Sequence, residues 1–245
     1  MPGQLLSMQR KSKVIILVKK SIKLLTSILI KLNFYFQKPF RYDVLDKWLR
    51  IKGVFILDIG CGNHSSSKTK RYYPFCYYFG LDANKNYNNN EKDFAVMEDF
   101  YEIDLNRNIE KTKEIPDNFF DVLILSHVIE HLNNGELVLK SLFPKLKKGG
   151  VIYIETPSPQ TMHFCDGLNF YKDPTHIKVY PLEDLRRILL SERFSVIKEG
   201  RRRSLKRIIF LPFYLLGALF YYKYILSSIF YDITGFANYL VAIKD

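Results

Sequence analysis

The fold of this chain is decided by the stretch Val54-Phe55-Ile56-Leu57-Asp58-Ile59-Gly60-Cys61-Gly62-Asn63. Its four apolar residues before Asp58 predict a strand that is buried on both faces, as in a parallel sheet. Gly60 and Gly62 allow the backbone to turn tightly and to approach a ligand closely. A helix starting near Ser65 would complete the unit of strand, glycine loop and helix that binds nucleotides at the carboxyl edge of a sheet. Tight turns also use glycine without binding anything, so further signals are needed.

Those signals come from apolar stretches downstream, each of which predicts another strand. They span residues 77–82, 100–105, 119–125, 151–155, 194–197 and 239–243. The first two carry an acid at or near the end, Asp82 and Asp104. Helical patterns lie between several of the strands. Together they predict an α/β fold, a Rossmann-like doubly wound sheet of seven strands with ligands above the strand ends.

Two of the helices can be placed from their end signals. One is predicted over residues 136–146 and to end at the Lys-Lys-Gly-Gly sequence 147–150, a basic helix end followed by glycine. Pro144 is predicted to kink or shorten it. The other helix is predicted over residues 182–190.

The net charge of +12 comes from the two ends of the chain. Residues 1–41 hold nine Lys or Arg and no acid, and residues 198–245 hold eight against three acids. Residues 42–197 are slightly acidic, with twenty basic and twenty-two acidic side chains. Basic residues interleaved with aliphatic runs are typical of an anionic membrane surface as partner. No nucleic-acid partner is expected, because the middle of the chain is not basic.

Cysteine usage points to a reducing compartment. Cys61, Cys76 and Cys165 form no CxxC pair, which also gives no zinc signal. No secretory signal is expected, because the first apolar run is flanked by lysines and no small-residue cleavage site follows it. We therefore expect a cytoplasmic protein, held peripherally on the inner face of the membrane.

Two segments outside the predicted core favour this membrane contact. Residues 11–36 have apolar side chains at the helical period, which indicates a helix that either caps the core or lies on anionic lipid. Residues 208–222 are uncharged and follow the basic cluster 201–207. At fifteen residues this run is too short for a bilayer span of about 20 residues. It favours an interface-dipping insertion over a buried insertion or a dimer face.

These patterns divide the chain into four parts. Residues 1–41 are predicted to be a basic amphipathic extension with an N-terminal helix, and residues 42–200 the core domain. Residues 201–233 are predicted to be an apolar insertion before the last strand, and residues 234–245 the final core strand.

Five motifs occur in the order found in one enzyme family. They are Leu-Asp-Ile-Gly-Cys-Gly-Asn (57–63), Phe-Asp-Val-Leu-Ile-Leu-Ser-His-Val-Ile-Glu-His-Leu (120–132), Lys-Gly-Gly-Val (148–151), Asp-Pro-Thr-His (173–176) and Pro-Leu-Glu-Asp-Leu (181–185). In these motifs the chain resembles the class I S-adenosylmethionine-dependent methyltransferases, and among them the small-molecule branch that methylates metabolites, quinone precursors and lipids. The resemblance covers residues 55–200 and resumes at the last strand.

The resemblance implies S-adenosyl-L-methionine as cofactor. Glycine-loop N–H groups and Asp58 would hold its methionyl end, Asp82 would accept the ribose hydroxyls, and Asp104 would bind the adenine amine. The cofactor-binding residues implied in full are Asp58, Gly60, Cys61, Gly62, Asp82, Ala83, Asp104, Leu105, Ser126 and His127. Taken singly, each acid could instead form a turn or cap a helix.

Histidines supply the candidate bases. An oxygen or nitrogen acceptor can need a base near neutral pH, for which histidine is suited. His127, His131, His163 and His176 all lie in segments expected above the ligand edge. Of these we expect His131 and His176 to be catalytic.

Other motif readings are weaker. A dinucleotide-binding G-x-G-x-x-G fails at Ser65. The sequence His127-Val-Ile-Glu130-His131 spells the inverted zinc-peptidase pattern, but it follows a buried strand where the resembled family often has such a tract. In some quinone-pathway methyltransferases acids and a histidine here bind a divalent cation. Because His127 replaces one acid, no metal is predicted.

The predicted function is methyl transfer from S-adenosylmethionine to a small or lipid-linked acceptor, such as a quinone precursor, lipid or glycan intermediate, at a membrane surface. Two alternatives stay open: a non-catalytic scaffold that keeps the cofactor fold, and an RNA methyltransferase that uses its basic ends.

Overall fold

The computed structural model of this protein describes residues 38–164, 169–212, 215 and 227–245. The chain divides into two compact units, Met1–Pro39 and Phe40–Asp245. The amphipathic helix predicted over residues 11–36 lies outside the described residues, as does most of the apolar run 208–222. The fold below is that of the second unit.

Seven strands and seven α-helices make up the described part of this unit. The strands are β1 (Phe55–Ile59), β2 (Tyr77–Asp82), β3 (Asp99–Glu102), β4 (Phe120–Ser126), β5 (Leu146–Pro157), β6 (Phe194–Arg201) and β7 (Ala237–Lys244). The helices are α1 (Phe40–Leu49), α2 (Ser65–Tyr72), α3 (Glu91–Phe94), α4 (Gly135–Leu142), α5 (Leu182–Ser191), α6 (Leu205–Ile209) and α7 (Ser227–Thr234). Five 3₁₀ turns connect them, at Ile109–Glu114, Ile129–His131, Phe143–Lys145, Pro159–His163 and Phe170–Lys172.

The strands form one sheet in the order β3-β2-β1-β4-β5-β7-β6. The pairs among β1 to β5 are parallel, whereas β7 runs antiparallel to both β5 and β6. The predicted seven-stranded Rossmann-like sheet is therefore confirmed, with one reversed strand that the alternation of elements did not indicate. Strand order reverses between β1 and β4, which opens a crevice at the carboxyl ends of these strands.

Burial on both faces of the sheet explains the uninterrupted apolar runs. Leu57 and Ile59 of β1 belong to one buried cluster with residues of α4 and α5. Ile56 of the same strand belongs to a second cluster with residues of α1 on the other face. Since successive side chains of a strand alternate between faces, a central strand must be apolar at nearly every position.

One predicted helix end is wrong. The helix predicted over 136–146 ends at Leu142, and Pro144 lies in the 3₁₀ turn that follows. Proline lacks the N–H that would continue an α-helix, which explains the early stop. The Lys-Lys-Gly-Gly sequence 147–150 therefore lies inside β5, where Gly149 adopts a φ of +76°.

Within the described ranges of the chain, every helix is too short or too polar to span a lipid bilayer.

Candidate active site

The glycine loop follows β1 and is shaped by a close contact with the segment after β4. Gly60 has a φ of +70°, and a Cβ built there would lie 2.3 Å from Cγ2 of Val128. At Gly62 a Cβ would lie 2.6 Å from Cδ1 of Tyr87. Both positions therefore require glycine, one for conformation and contact and the other for contact alone.

The N–H groups of this loop were predicted to hold the methionyl end of the cofactor, but in the structure they already donate hydrogen bonds to protein acceptors. The bonds run from Gly60 N to Leu81 O (2.7 Å), Gly62 N to Asp82 Oδ2 (3.1 Å), Asn63 N to Tyr87 O (3.2 Å) and His64 N to Asn89 Oδ1 (3.1 Å). A buried N–H group needs such a partner. A methionyl group could use these donors only by displacing the residues that now accept from them.

An asparagine-rich segment, residues 84–90, closes over the glycine loop. Asn88 donates to the side chain of Asn63 (2.8 Å), while Asn90 caps α3. These bonds give individual asparagines defined turn and capping roles. The sequence indicated only a polar loop here.

Asp58 is buried within β1 rather than ending it. Its Oδ2 accepts a hydrogen bond from the Tyr78 hydroxyl (2.7 Å) and lies 3.8 Å from Nη2 of Arg41. Burial raises the pKa of Asp58, and the Arg41 charge and the Tyr78 hydrogen bond oppose that rise. Arg41 also donates to the Ser65 hydroxyl (3.2 Å) at the start of α2. Arg41, which was assigned to the basic extension, thus belongs to the site.

Asp82 ends β2 beside the glycine loop, as the sequence predicted. Its two carboxylate oxygens accept from the N–H groups of Gly62 (3.1 Å) and Asn84 (3.2 Å). Each oxygen has further acceptor capacity. Ala83 follows and is exposed at the same edge.

Asp104, predicted to bind adenine, and the predicted cofactor-binding residues Leu105 and Cys61 differ in position. Asp104 lies two residues beyond β3, where it accepts from Asn106 N (2.9 Å) and pairs with Arg107 (3.4 Å). This is the turn-forming role that the acid could have on its own. Leu105 and the Cys61 side chain are buried, so Cys61 could contact a ligand only through its backbone.

Ser126 ends β4 and His127 follows it in a left-handed conformation with a φ of +57°. The His127 ring lies between two buried acids, with Nδ1 3.2 Å from Glu130 Oε1 and Nε2 3.0 Å from Glu155 Oε1. The contact between Nε2 and Glu155 does not have the geometry of a hydrogen bond. Burial alone would lower the pKa of His127, but Glu130 and Glu155 outweigh it and raise the pKa to about 9. His127 is therefore a cation at neutral pH and not a base.

The tract containing His127 and His131 is not helical. After His127 it forms the 3₁₀ turn Ile129–His131, so the two histidines contact different groups. His127 faces Glu130 and Glu155, whereas His131 lies against Thr175. The geometry of the inverted zinc-peptidase motif, two histidines on one helical face, is absent from this described tract.

A buried ion-pair network links the site to the segment after β6. Arg202 contacts Glu155 Oε1 (2.8 Å) and Asp232 Oδ1 (2.5 Å), and Arg207 Nε lies 2.8 Å from Asp232 Oδ2. Burial would raise the pKa of Glu155, but Arg202 and His127 hold it well below its usual range. Two of the five cations read as membrane-facing are thus buried in ion pairs, and Lys206 pairs with Asp43.

The candidate bases His131 and His176 lie together, with ring centroids 4.7 Å apart. The His131 Nδ1 lies 3.2 Å from Thr175 O and 2.9 Å from Thr175 Oγ1. Because that hydroxyl donates to Asp173, both atoms are acceptors and Nδ1 carries the proton. His176 Nδ1 lies 2.7 Å from Phe170 O and is assigned the same way. When neutral, both rings keep a lone pair on Nε2. His163 is exposed on another turn.

Comparison with known proteins identifies the family and the fold. The methyltransferase-domain family matches residues 41–199. The chain belongs to this family. The predicted class I type and the S-adenosyl-L-methionine cofactor are confirmed with it.

Relatives known from sequence overlap this chain only in part. A protein of uncharacterized function from Methanocaldococcus jannaschii is 30% identical over 122 residues, which are 46% of this chain and 31% of the relative. One from Haemophilus influenzae is 26% identical over 151 residues, 59% of this chain and 57% of the relative. The chain thus spans less than two thirds of either curated relative.

Solved methyltransferase structures share the fold. An S-adenosylmethionine-dependent methyltransferase from Archaeoglobus fulgidus superposes with a TM-score of 0.57 at 23% identity, covering 83% of this chain and 91% of its own. One from Mesorhizobium loti gives 0.59 at 16% identity, with coverages of 84% and 98%. Phosphoethanolamine N-methyltransferase 2 of Haemonchus contortus, solved with phosphomonomethylethanolamine and S-adenosylhomocysteine, gives 0.56 at 17% identity, with coverages of 82% and 51%. At these identities the likeness concerns the fold.

The residues at the carboxyl edge fit this cofactor. The Asp58 carboxylate and Arg41 guanidinium lie side by side and complement the ammonium and carboxylate of a methionyl group. Asp82 stands at the end of β2 with oxygens that can accept ribose hydroxyls. At Gly60 and Gly62 the side chains of Val128 and Tyr87 pack directly against the loop backbone.

Proposed function

We propose that the whole protein transfers a methyl group from S-adenosylmethionine to a small or lipid-linked acceptor at a membrane surface. The cofactor supplies an electrophilic methyl group on a sulfonium that is already a good leaving group. The protein therefore contributes mainly alignment and exclusion of water. The observation that carries the proposal is that β1, β2 and β4 place Asp58, Asp82 and His127 at one edge of the sheet.

Each of these side chains has a separate task. Asp82 would orient the ribose, and Asp58 with Arg41 would hold the methionyl group. The His127 imidazolium, held between Glu130 and Glu155, would line the cofactor site at the end of β4. His131 or His176 would accept the proton from the acceptor, because each is assigned a free lone pair on Nε2.

The place where the insertion leaves the sheet supports membrane contact. Arg201 at the end of β6 pairs with Asn238 of β7, which pairs with Thr156 near the end of β5. The insertion therefore begins at the ligand edge. The described part of it exposes Leu205 (71%) and Ile209 (61%), and Arg201 and Arg203, which precede them in sequence, are exposed as well. Apolar side chains next to cations suit an anionic lipid interface.

Calorimetric titration of S-adenosylmethionine tests the cofactor site. We expect wild-type protein to bind and Asp82→Ala to bind at least tenfold more weakly, because the ribose loses a charge-assisted acceptor. Asp104→Ala is the matched control, and a smaller loss is expected because this carboxylate is engaged in its own turn. Equal affinity of wild type and Asp82→Ala would contradict the assignment.

Flotation with vesicles tests the membrane contact. We expect binding to phosphatidylserine-containing vesicles that weakens with salt, and a loss of binding in the double variant Leu205→Ser, Ile209→Ser. Leu190→Ser is the control, since Leu190 is a comparably exposed leucine (56%) on α5. If all variants floated like wild type, α6 would not be part of the contact.

A further inference from the structure

We propose that Glu130, His131 and His176 form a binding site for a divalent transition-metal ion. One ligand atom from each residue lies within 4.8 Å of those of the other two. The three come from two separate segments, the turn after β4 and the loop before α5. Two imidazoles with one carboxylate suit zinc, iron(II) or cobalt(II) better than magnesium or calcium, which prefer all-oxygen ligands.

The state of Glu130 is the first argument. Glu130 is fully buried, and its Oε1 contacts His127. Its Oε2 is also buried and has no hydrogen-bond partner. A buried carboxylate oxygen without a partner is costly, and a bound cation would remove that cost.

The orientation of both histidines is the second argument. Metal-binding histidines usually donate the proton of their other ring nitrogen to a carbonyl or carboxylate, which fixes the ring and the free lone pair. His176 has this arrangement with Phe170 O, and the Phe170 ring stacks on it at 4.4 Å. The Nδ1–H of His131 donates in the same way to Thr175, whose hydroxyl in turn donates to Asp173. Both rings therefore have the supporting bonds of metal ligands.

The spacing is slightly wider than a bound ion requires. Bonds of about 2.1 Å in tetrahedral geometry place ligand atoms about 3.4 Å apart. The three ligand atoms would therefore draw together by up to about 1.4 Å on binding. The described residues provide three protein ligands, which leaves a position open among them, as in catalytic rather than structural sites.

The role of such an ion rests on the function proposed above. An acceptor oxygen bound at the open position would lose its proton to solvent more readily, because a metal ion lowers the pKa of a bound hydroxyl. The oxygen would then form the new bond to the methyl group as the bond from methyl to sulfur breaks. In that case the histidines would act as ligands and not as bases.

Cobalt(II) titration followed by visible absorption tests the site without any methyl transfer. We expect wild-type protein to bind one equivalent with d–d bands of a nitrogen and oxygen environment. We expect His176→Ala and, independently, His131→Gln to weaken binding at least tenfold. His163→Ala is the control and should match wild type, because His163 is exposed on the turn Pro159–His163.

The outcomes separate this proposal from the proposed function. Calorimetry with S-adenosylmethionine on the same variants reports whether they are folded and whether the cofactor site is intact. Cofactor binding by wild type without cobalt binding at millimolar cobalt would overturn the metal site alone. Cobalt binding that both histidine variants retain would place the ion elsewhere and equally refute the proposal.

Discussion

The charge state of His127 predicts how stability depends on pH. The pKa of a histidine in an unfolded chain is about 6.5, and Glu130 and Glu155 raise that of folded His127 to about 9. Because the folded value is the higher one, the protonated ring stabilises the fold fully below pH 6.5. That stabilisation is lost as the pH rises through 9.

The magnitude follows from the difference between the two values. Each pH unit between them is worth about 1.4 kcal/mol, so the free energy of unfolding should fall by about 3 kcal/mol between pH 6.5 and 9.5. His127→Asn should remove this component, and asparagine tolerates the left-handed backbone that residue 127 adopts. Groups that titrate in both proteins, such as the cysteines, cancel in the comparison.

Urea unfolding of both proteins at half-unit pH steps measures this difference. An NMR titration of the His127 Cε1 proton should give a midpoint near 9. The reasoning fails if the midpoint lies below 7, or if wild type and His127→Asn lose stability in parallel across this range.

Three further predictions concern the fold around the site and are measured by urea unfolding. Gly60→Ala should lower the free energy of unfolding by about 2–5 kcal/mol, because alanine adds both left-handed backbone strain and a close contact with Val128. Gly149→Ala has the same strain but open space around the new methyl group, so it should cost about 1–2 kcal/mol. Equal costs would mean that Val128 moves aside at little energetic cost. Tyr78→Phe should cost about 1–3 kcal/mol and weaken cofactor binding, because Asp58 loses its buried hydrogen bond; unchanged stability and affinity would count against that role. Arg202→Met should cost about 3–5 kcal/mol, since the buried network loses one of its cations and two carboxylates each lose one cationic partner. A loss below 1 kcal/mol would show that Arg202 is not needed for stability.

The strands could be read from the sequence because their signal is local. Residues 54–59, 77–82 and 119–125 are apolar at nearly every position, which is the pattern of a strand covered on both faces. The position of Asp82 could be predicted because this acid ends such an apolar run, as it ends β2. The position of β7 was also clear, but its direction was not, since an isolated apolar run carries no information on which way it pairs.

The electrostatics of the site could not be read in this way. Arg202 counted as one of a basic cluster, yet it is buried against Glu155 and Asp232, which are 47 and 30 residues away in sequence. Arg41 was similarly assigned to a basic extension, although it lies beside Asp58. Charge counts along a chain cannot show which charges meet after folding.

The contacts at the base of the insertion have a consequence for how such chains can diversify. Ser204 N donates to Asp232 O (2.7 Å) and Arg202 N to Ala237 O (2.7 Å). The two ends of the insertion are therefore held together by backbone hydrogen bonds. We therefore expect the segment between Arg207 and Asp232 to be exchangeable, with both residues of that ion pair retained. A short glycine-serine linker, or the corresponding segment of another family member, could join Arg207 to Asp232 while these hydrogen bonds and the ion pair are kept. Acceptor preference could change by recombination at this point without any change in the sheet.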